Sequence, residues 1–255
     1  NYINTFNKPI IIGFSGLPGS GKSTLGLWID SVARELSLDI KVISLDDFYL
    51  PGQEMDIAMR GNPWNVPRGF PGSHSLDLLH QSLDVFLKTG ILRSPTFDKS
   101  LRDGKGDRSG WCELKSKILI LEGWFVGCEP VSDLNNIDSL SEDKFNLSLS
   151  QDEKDYRSLI QESLIKYSKI WKKFDKIWHL KSSHFNNTIL WKTQQEEEMI
   201  KIRGSGLKGN NLTDFIRMIQ SSIPQQSLSF INADTTVQIN QHRRIDKLLT
   251  TNYHF

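Results

Sequence analysis

The sequence predicts an α/β fold in which five strands form a mostly parallel sheet flanked by helices. Two observations predict it: five short apolar runs alternate with longer helix-compatible stretches, and a glycine-rich segment joins the first run to the first helical stretch. The chain has 255 residues, enough for one large domain with a substantial core. We therefore expect a single domain, residues 1–255.

The glycine-rich segment, residues 16–23, reads GLPGSGKS and fits the phosphate-binding pattern G-x-x-x-x-G-K-[ST]. An apolar run, residues 9–14, precedes it, and residues 24–36 can continue as a helix. In such a P-loop, backbone N–H groups point at phosphate oxygens and the helix places its positive dipole end there. The alternative is a plain glycine turn between a strand and a helix. The pattern predicts a P-loop NTPase fold whose nucleotide site is formed by Gly16, Leu17, Pro18, Gly19, Ser20, Gly21, Lys22, Ser23 and Thr24.

Two side chains of this loop have distinct expected roles. Lys22 is expected to hold the β and γ phosphates of a nucleoside triphosphate. The hydroxyl of Ser23 is expected to ligate a magnesium ion that bridges those phosphates. The sequence therefore predicts a nucleotide together with Mg²⁺.

The other predicted strands are residues 40–45, 117–121, 176–180 and 236–239. Ligands of parallel sheets bind beyond the carboxyl ends of the strands, so the residues that follow each strand are the candidates for function. In chain order, the first three strands each lead into chemically active side chains.

Carboxylates follow the second and third predicted strands. Asp46 and Asp47, with Tyr49 nearby, follow the second strand, and one of them is a candidate general base for an acceptor hydroxyl. Alternatively, the two aspartates cap the next segment or face solvent. Glu122 directly follows the third strand, beside Trp124, and is a candidate magnesium ligand. Its alternative is a buried structural glutamate paired with a lysine.

An unusual segment, residues 60–108, separates these two strands and is dense in Gly, Pro, Arg and His. Turn-forming residues hold polar side chains on rigid loops, a common way to build binding sites for small anions. Arg68, His74, Lys99 and Arg108 can supply positive charge for a carboxylate. The alternative is a set of solvated loops with scattered charge. We expect an acceptor-binding insertion at about residues 50–110.

Charge and composition exclude some partners. The 31 basic and 30 acidic residues give a net charge of +1, so we expect a small-molecule substrate and neither nucleic acid nor membrane. Cys112 and Cys128 show no metal or redox spacing, and no leader or membrane-spanning run is evident. We expect a cytoplasmic protein and favour a monomer. Residues 129–151, rich in Ser, Asn and Asp, predict a surface excursion.

From about residue 9 to residue 217, the chain resembles the plant and cyanobacterial type of D-glycerate 3-kinase, within the phosphoribulokinase, uridine kinase and pantothenate kinase group. A weaker downstream part includes YSKIWKKFDKIWHL (167–180) and WKTQQE (191–196). The motifs that carry the resemblance, in the family's order, are GLPGSGKST, SLDDFYLP (44–51), NPWN (62–65), RGFPGSHS (68–75), PTFDKS (95–100), GKGDR (104–108) and LEGWFVG (121–127).

The resemblance implies transfer of the γ-phosphoryl group of ATP to the 3-hydroxyl of D-glycerate, giving 3-phosphoglycerate, as in photorespiratory carbon recovery. It implies that Asp46 is the base, with Lys22 and Glu122 completing the catalytic set. It also implies a helical lid over the phosphates, at about residues 188–215, with Lys192, Lys201 and Arg203 as its basic candidates. The expected acceptor-binding residues are Asp46, Tyr49, Arg68, His74, Asp98, Lys99 and Arg108.

Two positions depart from the family pattern. Ser75 stands where the family has an aspartate after the histidine, and whether Asp77 replaces it is open. Trp191 is followed by Lys192 where the family has arginine, and lysine lacks the planar fork that grips a phosphate through two bonds. The lid helix can also be read as a solvated face with i,i+4 ion pairs.

Two other functions stay open. The acceptor can be another small alcohol, as in a pantothenate or uridine kinase. The chain can also be a nucleotide-dependent regulatory protein without transfer activity, although Lys22, Ser23, Asp46 and Glu122 are all present.

Overall fold

The computed structural model describes residues 8–131, 147–204 and 206–250, without the side chain of Arg203. Most of the surface excursion predicted for residues 129–151 lies outside this part of the chain. In chain order, the strands are β1 (Ile10–Gly16), β2 (Ile40–Ser44), β3 (Ile91–Asp98), β4 (Asp107–Lys115), β5 (Ile118–Gly123), β6 (Lys176–Ser182), β7 (Thr235–Ile239) and β8 (Ile245–Thr250).

The α-helices are α1 (Lys22–Glu35), α2 (Gly52–Ala58), α3 (Leu76–Thr89), α4 (Gln151–Trp171), α5 (Asn187–Arg203), α6 (Gly209–Ser221) and α7 (Gln225–Ser229). A short 3₁₀ turn, Leu45–Phe48, follows β2. None of the helices in the described part of the chain combines the length and apolar character needed to cross a membrane.

The main sheet has six strands in the order β2-β5-β1-β6-β7-β8. The five predicted strands are all present and pair in parallel. The sixth, β8, pairs antiparallel with β7 and was not predicted. Its residues are all exposed, so its sequence lacks the apolar run that marks a strand buried in a parallel sheet.

Alternate side chains of the central strands enter two separate cores. Ile10, Ile12 and Phe14 of β1 face one side, where Ile29 of α1 and Trp191 of α5 pack. On the opposite side, Ile11 belongs to a larger core, which α3 and α4 complete. Both faces of β1 and β5 are therefore covered, which explains their uninterrupted apolar sequences.

The insertion predicted to bind the acceptor contains more regular structure than the loops expected there. It contains α2, α3 and an antiparallel hairpin formed by β3 and β4. The hairpin packs against the 3₁₀ turn, because Phe97 of β3 contacts the ring of Tyr49 with a centroid distance of 5.0 Å. The hairpin is thereby held beside the carboxyl end of β2.

Strand register brings the predicted chemical groups to one edge of the sheet. Glu122 of β5 is paired with Phe14 of β1 and with Ser44 of β2. The P-loop follows β1, and Asp46 lies two residues after Ser44. The ends of three adjacent strands therefore converge around Glu122.

Candidate active site

The P-loop curls tightly between β1 and α1. Gly19 and Gly21 have φ values of 75° and 101°, a left-handed region in which side chains are strained. Gly21 is the N-terminal cap of α1 and makes no side-chain cap. The N–H groups of the first helical turn therefore remain available to an anion.

Lys22 lies at the centre of this curl and is only 7% exposed. Its ammonium donates to the carbonyl of Leu17 at 3.2 Å. Burial lowers the pKa of Lys22, while the carboxylates of Glu122 and Asp46 oppose that effect. The two carboxylates favour the charged form of Lys22. Its ammonium lies in the P-loop, where it would neutralise the negative charge of bound phosphates.

Ser23 and Glu122 form a pair of oxygen donors next to Lys22. The Ser23 hydroxyl donates to Oε1 of Glu122 at 3.0 Å. Within the described residues, no group of three or more His, Cys, Asp or Glu side chains could hold a metal by itself. A hydroxyl and one carboxylate suit a hard cation that takes its other ligands from phosphate and water.

Asp46 and Asp47 have separate roles in the 3₁₀ turn after β2. Asp47 forms a capping box with Ser44, whose backbone N–H donates to Oδ2 of Asp47 at 3.4 Å. Burial raises the pKa of Asp47. The capping alternative therefore describes Asp47, and Asp46 remains directed into the cleft.

Asp46 forms an ion pair with Lys99, whose ammonium donates to Oδ2 at 2.6 Å. Burial disfavours the ionised carboxylate, but the charge and hydrogen bond of Lys99 outweigh burial and lower the pKa of Asp46. The pKa of Lys99 is raised by the same partner. Both groups are therefore charged at neutral pH, and they line the cleft together with the P-loop.

A buried aromatic network supports this pair. The ring of His74 stacks on Tyr49 at 4.5 Å, and burial lowers the pKa of His74 to about 4. The hydroxyl of Tyr167 accepts from the N–H of Gly72 at 3.2 Å and lies 2.7 Å from Nδ1 of His74. The Tyr167 hydroxyl can either donate to Nδ1 or accept from it, and the tautomer of the ring follows that choice. Nε2 has no hydrogen-bond partner within the described residues.

Arg108 reaches the same region from β4. It donates to the Ser75 hydroxyl at 2.7 Å and to the carbonyl of Tyr49 at 3.3 Å. Burial lowers the pKa of its guanidinium. Ser75, the residue that departs from the family pattern, is therefore the partner of Arg108, and it is neutral where the family has a carboxylate.

Arg68 and Asp98 lie further out. Arg68 donates to the carbonyls of Gly104 and Lys105, at 2.8 and 2.5 Å, and so holds the loop between β3 and β4. The role of Asp98 in contacting the acceptor stays a prediction. Its carboxylate accepts from the N–H and hydroxyl of Ser100, at 2.8 and 2.6 Å, because a strand-end aspartate readily caps the turn that follows it.

Helix α5, the predicted lid, packs directly on the P-loop. Thr188 donates to the carbonyl of Pro18 at 3.0 Å. Lys192 lines the cleft, pairs with Glu196 and lies 4.8 Å from the ring centroid of Phe215. This i,i+4 pair is buried, whereas the alternative reading of the helix concerned a solvated face formed by residues 196–198 with Lys201 and Arg203.

The remaining lid candidates stay predictions. Lys201 is exposed and does not line the cleft. Arg203 ends helix α5, and its side chain lies outside the described part of the structure.

These groups surround a cleft of about 1030 Å³. The predicted residues that line it are Pro18, Gly19, Ser20, Gly21, Lys22, Ser23, Thr24, Asp46, Tyr49, Lys99, Glu122 and Lys192. His74, Arg68 and Arg108 are not among the residues that line it. The structure therefore brings together the phosphate loop, the candidate base and the Ser23–Glu122 pair.

Three further cleft residues were not singled out from the sequence: Trp28, His179 and Arg243. Trp28 belongs to an ordinary amphipathic helix pattern, and His179 is part of a strand-like run. Arg243 stands in a polar turn between β7 and β8. The position of His179, just before the carboxyl end of a predicted strand, could have identified it as a cleft residue from the sequence.

Comparison with known proteins gives three informative similarities, although no family model matches the chain. The uncharacterized kinase mug58 of Schizosaccharomyces pombe is 29% identical over 252 residues, covering 92% of this chain and 86% of that protein. Chloroplastic D-glycerate 3-kinase of Arabidopsis thaliana is 28% identical over 221 residues, covering 82% of this chain and 45% of that protein. The structure of D-glycerate 3-kinase from Cryptococcus neoformans has a TM-score of 0.82 and 25% identity, covering 97% of this chain and 93% of that one.

The fold, the site and these similarities define the chain as a P-loop kinase. They confirm the predicted fold class and the predicted enzyme class, a phosphotransferase with an alcohol acceptor. The resemblance to D-glycerate 3-kinases is confirmed by two of the three similarities. Kinase relatives also imply ATP and a small-molecule substrate.

Proposed function

We propose that this protein transfers the γ-phosphoryl group of ATP to the 3-hydroxyl of D-glycerate. Two similar proteins carry the name D-glycerate 3-kinase. The observation that carries the proposal is the ion pair of Asp46 and Lys99 on the acceptor side of the P-loop, at 2.6 Å. It supplies a base for a hydroxyl and a cation for a carboxylate in the same place.

Asp46 acts as the base in this proposal. Phosphoryl transfer passes through a loose transition state, so the acceptor oxygen needs orientation first and loses its proton late. A carboxylate with a lowered pKa is a weak base, and it is sufficient when the proton leaves only as the new O–P bond forms. Lys99 keeps Asp46 ionised, and therefore able to accept a hydrogen bond from the hydroxyl.

Lys99 lines the cleft and supplies charge for the carboxylate of glycerate, while Arg108 and His74 contact Tyr49 at the adjoining turn. Arg108 contacts the neutral hydroxyl of Ser75 and retains its full positive charge. The buried Nε2 atom of His74 has no hydrogen-bond partner within the described residues. The charges of Lys99 and Arg108 together suit an anionic acceptor better than an uncharged nucleoside.

Magnesium fits the oxygen donors of the P-loop. Ser23 and Glu122 would hold it, since their oxygens already lie 3.0 Å apart beside Lys22. The ion would neutralise charge on the β and γ phosphates. Lys22 provides the protein's own charge to the same phosphates.

A coupled ADP-release assay with D-glycerate, L-glycerate and glycerol as parallel acceptors tests the proposal. We expect turnover that requires D-glycerate and is weak with glycerol, which lacks the carboxylate. No turnover with D-glycerate, under conditions where ATP binds, would overturn the proposal. Turnover with a nucleoside or pantothenate would support the alternative small-alcohol kinase, and a partner captured only with ATP would support a regulatory protein.

The wider setting stays a prediction. A place in photorespiration follows only from the sequence resemblance, and the monomer stays an expectation. The free thiols of Cys112 and Cys128 support a reducing compartment such as the cytoplasm.

A further inference from the structure

One lobe of the cleft contains none of the residues assigned above. It lies between the start of helix α1 and the hairpin formed by β7 and β8. Its walls are mostly apolar and include Leu25, Trp28, Trp178, Val237 and Ile245. This lobe is part of the cleft that contains the P-loop, so a ligand bound at the loop can extend into it.

The strand order fixes which end of a nucleotide faces this lobe. β5 and β2 lie on one side of β1, and β6, β7 and β8 lie on the other. Asp46 and Glu122 follow or end the strands of the first side, so the reacting γ-phosphate belongs there. The α-phosphate and the nucleoside must then extend past Thr24 toward the second side.

Trp28 has the properties of a stacking surface. It lies on α1, six residues after Lys22, and is 68% exposed although it is the largest side chain of the helix. The helix packs into the core through Gly26, Ile29 and Ala33 instead. Trp28 therefore adds little to the core, and its ring remains available along the cleft wall.

Arg243 closes this lobe against the P-loop. Its Nε donates to the carbonyl of Gly19 at 2.8 Å, and Nη1 donates to Oε1 of Gln194 at 3.2 Å. Its guanidinium carbon lies 5.5 Å from the ring centroid of the buried Trp191. These three contacts place the charge of this exposed arginine at the edge of the phosphate loop.

We propose that the base of the nucleotide stacks on Trp28 in this lobe, and that Arg243 stabilises the phosphate chain from the hairpin side. The inference rests on the nucleotide-binding part of the proposed function and does not depend on the identity of the acceptor. Aromatic stacking needs only the flat face of the base, which fits walls with few polar groups.

The test compares two ligands that differ in the base. Calorimetric titration with ATP and with inorganic tripolyphosphate, both with Mg²⁺, separates binding of the base from binding of the phosphates. Trp28→Ala should lower the affinity for ATP by roughly 10-fold, since stacking on an aromatic side chain contributes on that scale. The affinity for tripolyphosphate should not change. Arg243→Ala should weaken both ligands.

Trp111→Ala is the matched control, because Trp111 is 50% exposed on β4 and does not line the cleft. It should bind ATP like the parent protein. Equal ATP affinity of Trp28→Ala and the parent would overturn this inference and leave the proposed function intact. A parent protein that binds neither ATP nor tripolyphosphate would overturn both.

Discussion

Asp46 and Asp47 are adjacent carboxylates in different surroundings. The backbone N–H of Ser44 engages Asp47, while Lys99 engages Asp46 at the cleft wall. The sequence indicated that one of the two was a base, and the resemblance pointed to Asp46. The capping box favours Asp46 over Asp47 as the candidate base, because a carboxylate that caps its own turn has less freedom to contact an acceptor.

Substitution of Asp46 should separate chemistry from nucleotide binding. Asp46→Asn keeps the size of the side chain and removes the base, so turnover should fall by about 100-fold or more while ATP affinity stays near that of the parent. ADP release and an ATP titration measure the two effects. Asp47→Asn is the comparison variant, and it should lower the melting temperature more than the turnover. Parent-like turnover of Asp46→Asn would remove the base assignment.

Helix α5 and the P-loop are in direct contact at Gly19. A Cβ added there would lie 2.6 Å from Cβ and from the carbonyl carbon of Trp191. Gly61 has nearly the same φ, 73°, but no atom lies within 4 Å of its added Cβ. Comparing alanine substitutions at these two glycines therefore separates the effect of backbone strain from the effect of contact with α5.

Alanine at these two positions should give different results. Gly61→Ala should lose about 1 kcal/mol of unfolding free energy, the usual strain of a left-handed non-glycine residue. Gly19→Ala should lose more and also weaken ATP binding, because α5 must move away from the loop. Urea unfolding and ATP titration test both variants, and equal losses would contradict the proposed contact.

Glu153 joins three elements near the start of α4. It accepts hydrogen bonds from Trp64 and Ser221, both at 3.0 Å, and from Arg217 through two contacts of 2.6 Å. It also caps its own helix together with Ser150. Burial opposes ionisation, but Arg217 and the other donors outweigh it and lower the pKa of Glu153 to about 2.

Glu153→Gln should therefore destabilise the protein by about 2 kcal/mol at pH 7, since charged hydrogen bonds contribute on that scale. The folded pKa lies below the ordinary value of 4.5, so this stability is present above pH 4.5 and is lost as the pH falls toward 2. Urea unfolding at pH 7 and at pH 3 measures the difference. Glu162→Gln, at an exposed position of α4, should behave like the parent.

At the scale of the whole molecule, the sequence predicted the elements that have a strong periodic signal. β1 and β5 are apolar throughout because both faces are buried, and the P-loop pattern fixes the strand, loop and helix around it. β8 was missed because its six residues are all exposed. Arg243 was missed for a related reason: nothing in a polar turn indicates contact with a loop so distant in sequence.

Acid should destabilise the whole fold through two buried histidines. Burial lowers the pKa of His74 and of His179 to about 4 each. An unfolded histidine has a pKa of about 6.5, so between these values the unfolded chain binds more protons than the folded one. The free energy of unfolding should therefore fall as the pH falls from 6.5 to 4, by roughly 1.4 kcal/mol per pH unit for each histidine.

Urea unfolding at pH 7 and at pH 5 tests this dependence. His179→Gln should reduce the pH dependence by about half, because His74 alone then contributes. If His179→Gln kept the full pH dependence of the parent, the pKa of His179 would not be lowered in the folded protein.

The contact between Gly19 and Arg243 joins residues 224 positions apart. Trp191 adds a second long connection to the same turn by donating to the carbonyl of Gln241 at 2.7 Å. Contacts between distant residues form late in folding, because the loop they close must first lose its conformational freedom. During synthesis the P-loop therefore emerges long before the hairpin that braces it, and a nascent chain that ends before β7 carries the nucleotide motif without its final support.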